Sequence, residues 1–334
     1  MNRRDAVTAL LAFGATAAPL AVSAQSRASA MKRIGLVPDF SGPAFESLRA
    51  VFVESMQAHG WVEGRDYVTV QSGIAPGVQF EEAARRIVAE KPDLIFTGST
   101  AYAVAVHRAT KTIPVVMFGS GFPVEAGVAK SLARPGKNVT GLSIYAGTEV
   151  FGKLLQLMRE LKPSIRRIGV LWSYVPPAFP REEIEPCYRE LRRAAAALGL
   201  TVRIVEIDAP ERLADALAQL TADKVEALFV TAGPPLWPVG ARVTEYALER
   251  RLPTIADFAW QADFVPLVVY APPVRELFSR AASQVDRILK GARPGDLPIE
   301  QPTKFDLTVN LKTAKALGIK IPQSILFRAD RVIE

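Results

Sequence analysis

The sequence predicts an α/β fold of two doubly wound, mostly parallel sheets, each forming one lobe and joined by several chain crossings that act as a hinge. Two features lead to this prediction. Short apolar segments typical of strands alternate with helical patterns, and the same alternation occurs again in the second half of the chain. Because parallel strands need crossover helices, we expect helices on both faces of each sheet.

The two halves begin with nearly the same six residues. Residues 32–37 (KRIGLV) and residues 166–171 (RRIGVL) both have the apolar pattern of a buried strand. A helical pattern closed by glycine, an extended segment, an amphipathic helix and another buried strand then follow in each half. The predicted helices are residues 45–59, 80–90, 182–198 and 210–222, the last with Asp208 as N-cap, and the predicted strands are residues 67–71, 93–97, 113–116, 201–207, 226–230 and 252–255.

The C-terminal part predicts a return of the chain to both lobes. A strand at residues 267–270 and a helix at residues 274–289 precede a proline-containing passage at residues 294–302. A strand at residues 305–310 then leads to a short helix that Gly318 ends.

These elements divide the chain into two discontinuous lobes. We expect an N-terminal lobe of residues 31–143 and 272–300 and a C-terminal lobe of residues 144–271 and 301–334. The chain would then cross between the lobes near residues 143–148, 270–273 and 297–304. Several short crossings of this kind act as a hinge.

The first 24 residues have the order of a secretory signal peptide. Arg3 and Arg4 supply a positive start, residues 6–22 are apolar but too short to span a bilayer, and the small residues up to Ala24 fit cleavage by a signal peptidase. The alternative is a buried first helix. The arginine pair leaves open whether export follows the twin-arginine or the general secretory route. We expect cleavage after Ala24 and a product free in the periplasm.

The composition is that of a folded protein with two cores. The chain has 334 residues, of which 49% are hydrophobic and 22% charged, and no later apolar run is long enough for membrane insertion. Cys187 is the single cysteine, so we interpret it as a packing residue. The net charge of +7 is spread without an aromatic-interleaved basic patch, which argues against nucleic acid as a partner. We expect a monomer.

The repeat also predicts the position of a ligand. In open parallel sheets, ligands bind outside the carboxyl ends of the strands, where loops lead into helices. These loops are residues 39–42, 98–102 and 119–122 in the first lobe and residues 173–179, 231–237 and 257–260 in the second. The candidate contact residues of the resulting cleft are Phe40, Ser41, Ser99, Thr100, Tyr102, Gly119, Ser120, Phe122, Tyr174, Gly233, Trp237, Asp257 and Trp260.

Two of these loops carry candidates for binding charge. Ser99 and Thr100 join a buried strand to a helix, so backbone N–H groups and two hydroxyls at the positive helix end can receive a carboxylate. The alternative is an N-cap that binds only its own helix. Asp257 is a candidate for receiving an ammonium group, and its alternative is a hydrogen-bonded carboxylate at a strand end.

Aromatic residues in the same loops predict an apolar part of the ligand. Phe122, Tyr174, Trp237 and Trp260 can stack on a planar molecule, and the alternative for each is packing. Residues 119–121 (GSG) allow close approach of the backbone. The predicted ligand is a small carboxylate with an apolar or aromatic body.

Three stretches resemble a known family. Residues 131–141 (SLARPGKNVTG), 301–318 (QPTKFDLTVNLKTAKALG) and 321–330 (IPQSILFRAD) are similar to the signature of ABC transporter substrate-binding proteins with the type I periplasmic-binding fold. The resemblance runs from about residue 32 to residue 334. It implies an inner-membrane ABC permease as partner and amino-acid-like solutes, aromatic ones included, as ligands. We expect no cofactor and no metal.

Two departures from the family pattern lie near the cleft. Family members often have Gly-Asp-Pro-Val where residues 121–124 are GFPV, and a small Ala-Gly-Gly turn where residues 264–266 are FVP. Both changes add apolar bulk. They predict a ligand with more apolar surface than the ligands of the commoner members.

The sequence lacks the motifs that several alternative functions would require. There is no nucleophile elbow, Walker loop or dinucleotide fingerprint, and the two histidines, His59 and His107, lie in helical patterns without metal-ligand spacing. A hydrolytic or reductive enzyme is therefore the remote alternative. A periplasmic ligand-sensing subunit for a signalling receptor is the nearer one, and the sequence does not separate it from a transport protein. A DNA-binding regulator is disfavoured because a signal peptide occupies the place of its helix-turn-helix.

Overall fold

Two β-sheets flanked by helices make up the protein, whose computed structural model describes residues 31–38, 43–72, 79–176, 181–258 and 265–334. The predicted signal peptide and the candidate residues Phe40, Ser41 and Trp260 lie outside these ranges. Within the described ranges, no helix is both long enough and apolar enough to cross a membrane.

The first sheet consists of five parallel strands from the first half of the chain. Its elements are β1 (Lys32–Val37), α1 (Pro43–Ala58), β2 (Tyr67–Gln71), α2 (Phe80–Ala89), β3 (Leu94–Thr97), α3 (Thr100–Ala109), β4 (Val115–Ser120) and β5 (Val139–Ser143). Across the sheet the strands lie in the order β2-β1-β3-β4-β5. After β2 is added on one side of β1, the next strand, β3, is added on the other side. A doubly wound sheet leaves room for a ligand at this switch between β1 and β3.

The second sheet repeats this arrangement and extends it. Its elements are α4 (Glu149–Leu161), β6 (Arg167–Ser173), α5 (Arg181–Ala197), β7 (Thr201–Ile207), α6 (Leu213–Ala222), β8 (Ala227–Val230), α7 (Gly240–Glu249), β9 (Thr254–Ala256), β10 (Val268–Ala271), β11 (Asp306–Asn310), α9 (Leu311–Leu317), α10 (Gln323–Arg328) and β12 (Arg331–Ile333). Helix α8 (Val274–Leu289) follows β10 in the chain but packs on the first sheet. The order β7-β6-β8-β9-β10 matches that of the first sheet, and β11 and β12 follow at the edge, with β11 antiparallel to β10. The predicted α/β class with two repeated lobes is confirmed.

The start of α6 differs from the prediction. Asp208 is not its N-cap, because Pro210–Arg212 first forms a 3₁₀ turn and no side chain caps either this turn or α6. Proline forces the preceding Ala209 into an extended conformation, which moves the helix start away from Asp208. The prediction for the end of α9 is confirmed, since Gly318 takes a left-handed conformation there with φ of 67°.

The chain passes between the two sheets three times. β5 leads through residues 144–148 to α4, β10 leads to α8, which packs against α1, β4 and β5, and residues 290–305 return to β11. Two of these passages run side by side. The N–H of Ser143 donates to the carbonyl of Glu300 at 2.8 Å, and the N–H of Glu300 donates to the carbonyl of Gly141 at 2.9 Å. These bonds tie the first and third crossings together.

Residues 138–141, part of the sequence motif quoted above, support these crossings. The side-chain amide of Asn138 donates to the carbonyl of Ile113 at 2.8 Å, and the hydroxyl of Thr140 donates to the carbonyl of Leu297 at 2.8 Å. Gly141 has φ of 136°, and a Cβ at this position would overlap the carbonyl of Met117. The motif therefore serves the packing of β5 and the crossings beside it.

Candidate ligand-binding site

An open cavity lies at the carboxyl ends of strands from both sheets. It is lined by residues at or after the ends of β3, β4 and β5 in the first sheet and of β6, β8 and β9 in the second. Its position is that of a small-molecule site in an α/β protein. The predicted contact residues that line it are Ser99, Thr100, Gly119, Phe122, Tyr174, Gly233 and Trp237.

Ser99 lines this cavity at the start of α3. It occupies the N-cap position with extended backbone angles, φ of −75° and ψ of 164°, but its side chain makes no capping hydrogen bond. The Oγ atom is buried and has no hydrogen-bond partner among the described residues. The helix end contributes partial positive charge beside it. The hydroxyl therefore does not cap its own helix, and the alternative role of Ser99 as an N-cap is not the one that the structure has.

Thr100 connects two of the predicted loops. Its hydroxyl donates to the carbonyl of Gly121 at 2.8 Å, which ties the turn after β4 to the start of α3. Gly119, near the end of β4, has φ of 70°, a conformation that favours glycine. Thr100 thus holds the loop that carries Phe122. The side chain of Ser120 lies outside the described part of the structure.

Phe122 begins a row of aromatic rings that reaches from the first lobe into the second. Its ring stacks on Tyr145, with centroids 5.1 Å apart and an interplanar angle of 28°. Tyr145 meets Phe151 edge-on at 5.5 Å, and Phe151 meets Trp172 at the same distance. Such offset and edge contacts stabilise aromatic clusters beyond simple burial. Three residues of this row, Phe122, Tyr145 and Trp172, line the cavity.

The second lobe adds two of the predicted aromatic residues to the cavity. Tyr174 follows β6, and the guanidinium of Arg181 lies 5.4 Å from the centre of its ring. Trp237 stands at the start of a 3₁₀ turn before α7. Gly233 approaches Ser173 so closely that a Cβ would overlap the serine side chain. The cavity therefore has flat apolar surface on both sides.

Asp257 lies behind the cavity wall as a hydrogen-bonded carboxylate. It is only 2% exposed, and one oxygen accepts the hydroxyl of Tyr145 at 2.6 Å while the other accepts the N–H of Ala232 at 2.7 Å. Both partners line the cavity, whereas Asp257 does not. The sequence left two roles for Asp257, binding an ammonium group or forming hydrogen bonds at a strand end. The geometry corresponds to the second role.

Burial governs the proton affinity of this pair. Loss of solvation raises the pKa of Asp257 to about 6, against the opposing effect of its hydrogen bonds to Tyr145 and Ala232. Burial, together with the adjacent carboxylate, raises the pKa of Tyr145 well above its ordinary value. The phenol therefore stays protonated and donates to Asp257.

The structure corrects the prediction for Tyr102. Its side chain is 1% exposed and packs edge-on against Phe80 with ring centroids 4.7 Å apart, on the side of α3 that faces α2. Two residues along a helix correspond to a rotation of about 200°, so Tyr102 and Thr100 face different ways. Tyr102 belongs to the core of the first lobe.

Several lining residues were missed by the sequence prediction. Phe118 and Trp172 lie near the ends of β4 and β6, Tyr145 lies in the first crossing, and Phe258 follows Asp257. The rule that ligands lie at the carboxyl ends of strands would have found Phe118 and Trp172 if the final strand residues had been counted with the loops. Nothing in the local sequence signals Tyr145.

The structure shows Cys187 as a buried side chain and, in the described ranges, no cluster of metal-binding side chains. Cys187 is 2% exposed, and burial raises the pKa of its thiol to about 12, as befits a packing residue. Across the described ranges, no group of three or more His, Cys, Asp or Glu side chains is arranged to hold a metal ion.

Comparison with known proteins places this geometry in context. A sequence profile of the family described as ABC transporter substrate binding protein matches residues 33–333. A tyrosine-binding protein from Clostridioides difficile is 26% identical over 295 residues, which cover 86% of this chain and 81% of that protein.

Solved structures share the fold. An ABC domain in complex with L-Trp from Streptococcus pneumoniae superposes with a TM-score of 0.78 at 23% identity, covering 91% of this chain and 100% of that one. A conserved domain protein from Vibrio cholerae superposes with a TM-score of 0.78 at 24% identity, covering 90% and 99% of the two chains.

Proposed function

The chain belongs to the family of ABC transporter substrate-binding proteins, and from this premise we propose that it is exported to the periplasm and delivers a solute to an inner-membrane ABC permease. The solute is a small carboxylate with an apolar or aromatic body, and it binds in the cleft. The observation that carries the choice of ligand is the buried Ser99 hydroxyl without a partner among the described residues. It lies beside aromatic rings from both lobes.

The Ser99 end of the cavity suits a carboxylate. A buried hydroxyl without a hydrogen bond lowers stability, so a ligand oxygen that accepts from Ser99 recovers that loss. The N-terminus of the ten-residue helix α3 favours negative charge at the same place. Both effects act on the charged group of the ligand.

The remainder of the cavity suits an apolar or aromatic body. Phe122 and Tyr145 from one side and Trp172, Tyr174 and Trp237 from the other present ring faces and edges. Flat apolar surfaces of this kind bind planar groups. The names of the tyrosine-binding relative and of the L-Trp complex support an aromatic ligand.

A thermal-shift panel tests the ligand class. Aromatic and branched amino acids, benzoate-like acids, sugars, polyamines and nucleosides are compared at about one hundred times the dissociation constant, where binding adds roughly 2.7 kcal/mol to the free energy of unfolding. For a chain of this length the melting temperature should rise by several degrees. Stabilisation by sugars or polyamines, with no effect of any carboxylate, contradicts the proposal.

Ligand binding between two lobes on a hinge should favour a closed form. Small-angle scattering with and without saturating ligand should show a smaller radius of gyration in the bound state. An unchanged scattering profile at proven saturation contradicts lobe closure.

Transport and export need separate tests. Deletion of the gene should abolish uptake of the identified solute, and the intact mass of the exported protein should correspond to cleavage after Ala24. Normal uptake together with a lost transcriptional or chemotactic response would instead favour a sensing subunit.

A further inference from the structure

One acceptor at the polar end of the cavity is already engaged. The carbonyl of Gly121, which lies on the wall with Ser99, accepts the hydroxyl of Thr100 at 2.8 Å. The polar side-chain groups that the described wall presents are uncharged, namely the hydroxyls of Ser99, Thr100, Ser173, Thr231, Tyr145 and Tyr174 and the indole N–H groups of Trp172 and Trp237. Hydroxyls donate well to a carboxylate, whereas an ammonium group needs acceptors, preferably charged ones.

The carboxylate of Asp257 is covered from the cavity side. Its two oxygens are taken by the Tyr145 hydroxyl at 2.6 Å and the Ala232 N–H at 2.7 Å, and these two partners form the wall in front of it. An ammonium group could reach Asp257 only by displacing Tyr145. Among the described residues, the position of Tyr145 therefore decides whether Asp257 offers its negative charge to a ligand in the cleft.

Tyr145 is held in place at every polar group and on its ring. Its N–H donates to the Ser143 hydroxyl at 3.1 Å, its carbonyl accepts from Gln301 at 3.3 Å, and its ring stacks on Phe122. The side chain is 7% exposed. Because it is fixed from both sides of the hinge, we expect it to stay over Asp257 when a ligand enters.

We propose that the cleft prefers carboxylates that lack an α-ammonium group, such as 3-arylpropionates and branched aliphatic acids, over the corresponding amino acids, and that Tyr145 determines this specificity by covering Asp257. This inference rests on the proposed function and narrows its ligand class. An amino acid would place an ammonium group among the aromatic rings and uncharged polar groups of the described wall, with Asp257 covered, and burying a cation without a charged partner is unfavourable. A monoanionic acid avoids that loss and keeps the bond to Ser99.

Matched pairs of ligands test the preference on the native protein. Calorimetric titrations compare 3-phenylpropionate with L-phenylalanine, indole-3-propionate with L-tryptophan, and 4-methylpentanoate with L-leucine. Each pair differs by the ammonium group alone, so the apolar contribution cancels. The deaminated acid should bind at least about tenfold more tightly in each pair whose members bind. Equal or tighter binding of the amino acids overturns the proposal.

Asp257→Asn identifies the role of the carboxylate. Asparagine retains the size of the side chain and a carbonyl for one of the two bonds but removes the charge. If Tyr145 covers this group, the ratio of affinities within each pair should stay within about twofold of the native ratio. A selective loss of amino-acid affinity in this variant, with deaminated acids unaffected, would show that Asp257 receives the ammonium group and would overturn the proposal.

Different results would contradict the proposed function and the preference for carboxylates without an α-ammonium group. If no carboxylate of either set binds while another solute does, the proposed function is wrong and the preference falls with it. If carboxylates bind but the amino acids bind more tightly, the proposed function stands and only the preference is wrong. Asp215→Asn, an exposed position on α6, is the matched control and should leave all affinities unchanged.

Discussion

The loops after β3 and β8 occupy equivalent places in the two lobes but use their polar groups in opposite ways. After β3, the Ser99 hydroxyl is buried without a partner among the described residues. After β8, the Thr231 hydroxyl accepts the N–H of Ser173 at 2.8 Å, and the N–H of Ala232 donates to Asp257 at 2.7 Å. In the first lobe the Ser99 hydroxyl has no partner among the described residues, whereas in the second lobe the polar groups bond one another and hold the cavity wall.

This difference shows how a repeated fold produces an asymmetric site. The strand order is the same in both lobes, so both supply loops at the same edge. Only one edge needs to meet the charged end of a small ligand. The other can be stabilised internally, which keeps aromatic surfaces fixed for the apolar end. The predictions below test this division, from the largest expected effect to the smallest.

Removal of the internal carboxylate of the second lobe should have the largest effect. In Asp257→Ala, the Tyr145 hydroxyl and the Ala232 N–H both lose their partner in a buried site. We expect the free energy of unfolding, measured by urea denaturation, to fall by about 4 kcal/mol. Asp215→Ala on the exposed face of α6 is the control. A loss below about 1 kcal/mol would mean that the pair does not hold the wall.

The same carboxylate should make stability depend on pH. Burial raises its pKa from 3.8 to about 6, so the folded protein binds this proton more tightly than the unfolded chain does. Its contribution to stability is therefore complete below about pH 4 and is lost as the pH rises through about 6. A shift of roughly two units corresponds to about 3 kcal/mol.

Asp257→Asn provides the reference for this measurement. Between about pH 4 and pH 7, the native protein should lose about 3 kcal/mol of unfolding free energy relative to the variant, because other titrating groups cancel in the difference. Parallel stability curves for the two proteins would contradict the raised pKa.

Two glycines at the cavity should respond unequally to alanine. In Gly233→Ala the new Cβ overlaps the Ser173 side chain, whereas in Gly119→Ala the nearest atom is a methyl carbon of Ile144 at 3.5 Å. We expect Gly233→Ala to cost about 2 kcal/mol of stability and to weaken binding. Gly119→Ala should cost about 1 kcal/mol, because its φ of 70° is unfavourable for alanine. Stability losses are measured by urea denaturation. A larger loss in Gly119→Ala than in Gly233→Ala would show that the wall of the second lobe adapts to the added methyl group more easily than that of the first.

Ser99→Ala should change binding without lowering stability. The variant loses one hydrogen bond to the ligand carboxylate, so titration should show about tenfold weaker binding. The free energy of unfolding should stay level or rise slightly, because a buried hydroxyl without a partner among the described residues is removed. Thr100→Ala should instead lower stability by about 1 kcal/mol through loss of the bond to Gly121. Unchanged affinity in Ser99→Ala would show that this hydroxyl does not bind the ligand.

The fold was largely predictable because its signals are local. Strand β1 and helix α8 have the predicted bounds, and the repeat identified both sheets. The sequence analysis did not predict helices α4 and α10 or strands β5 and β12. These elements lie outside the repeated part of the two halves, or in stretches that were interpreted only as motifs of a family. Asp208 failed as a cap because the following proline changed the start of the helix.

The sequence by itself determined the two-lobed class, the edge at which a ligand would lie, and the pairing of hydroxyls with aromatic rings there. These follow from periodicity and from the chemistry of short segments. Only the tertiary structure decided which side chains face the cavity. Tyr102 turns into the core, and Asp257 is covered by Tyr145, a residue 112 positions away in the chain. Such contacts depend on how separate elements pack, and a local pattern carries no information about them.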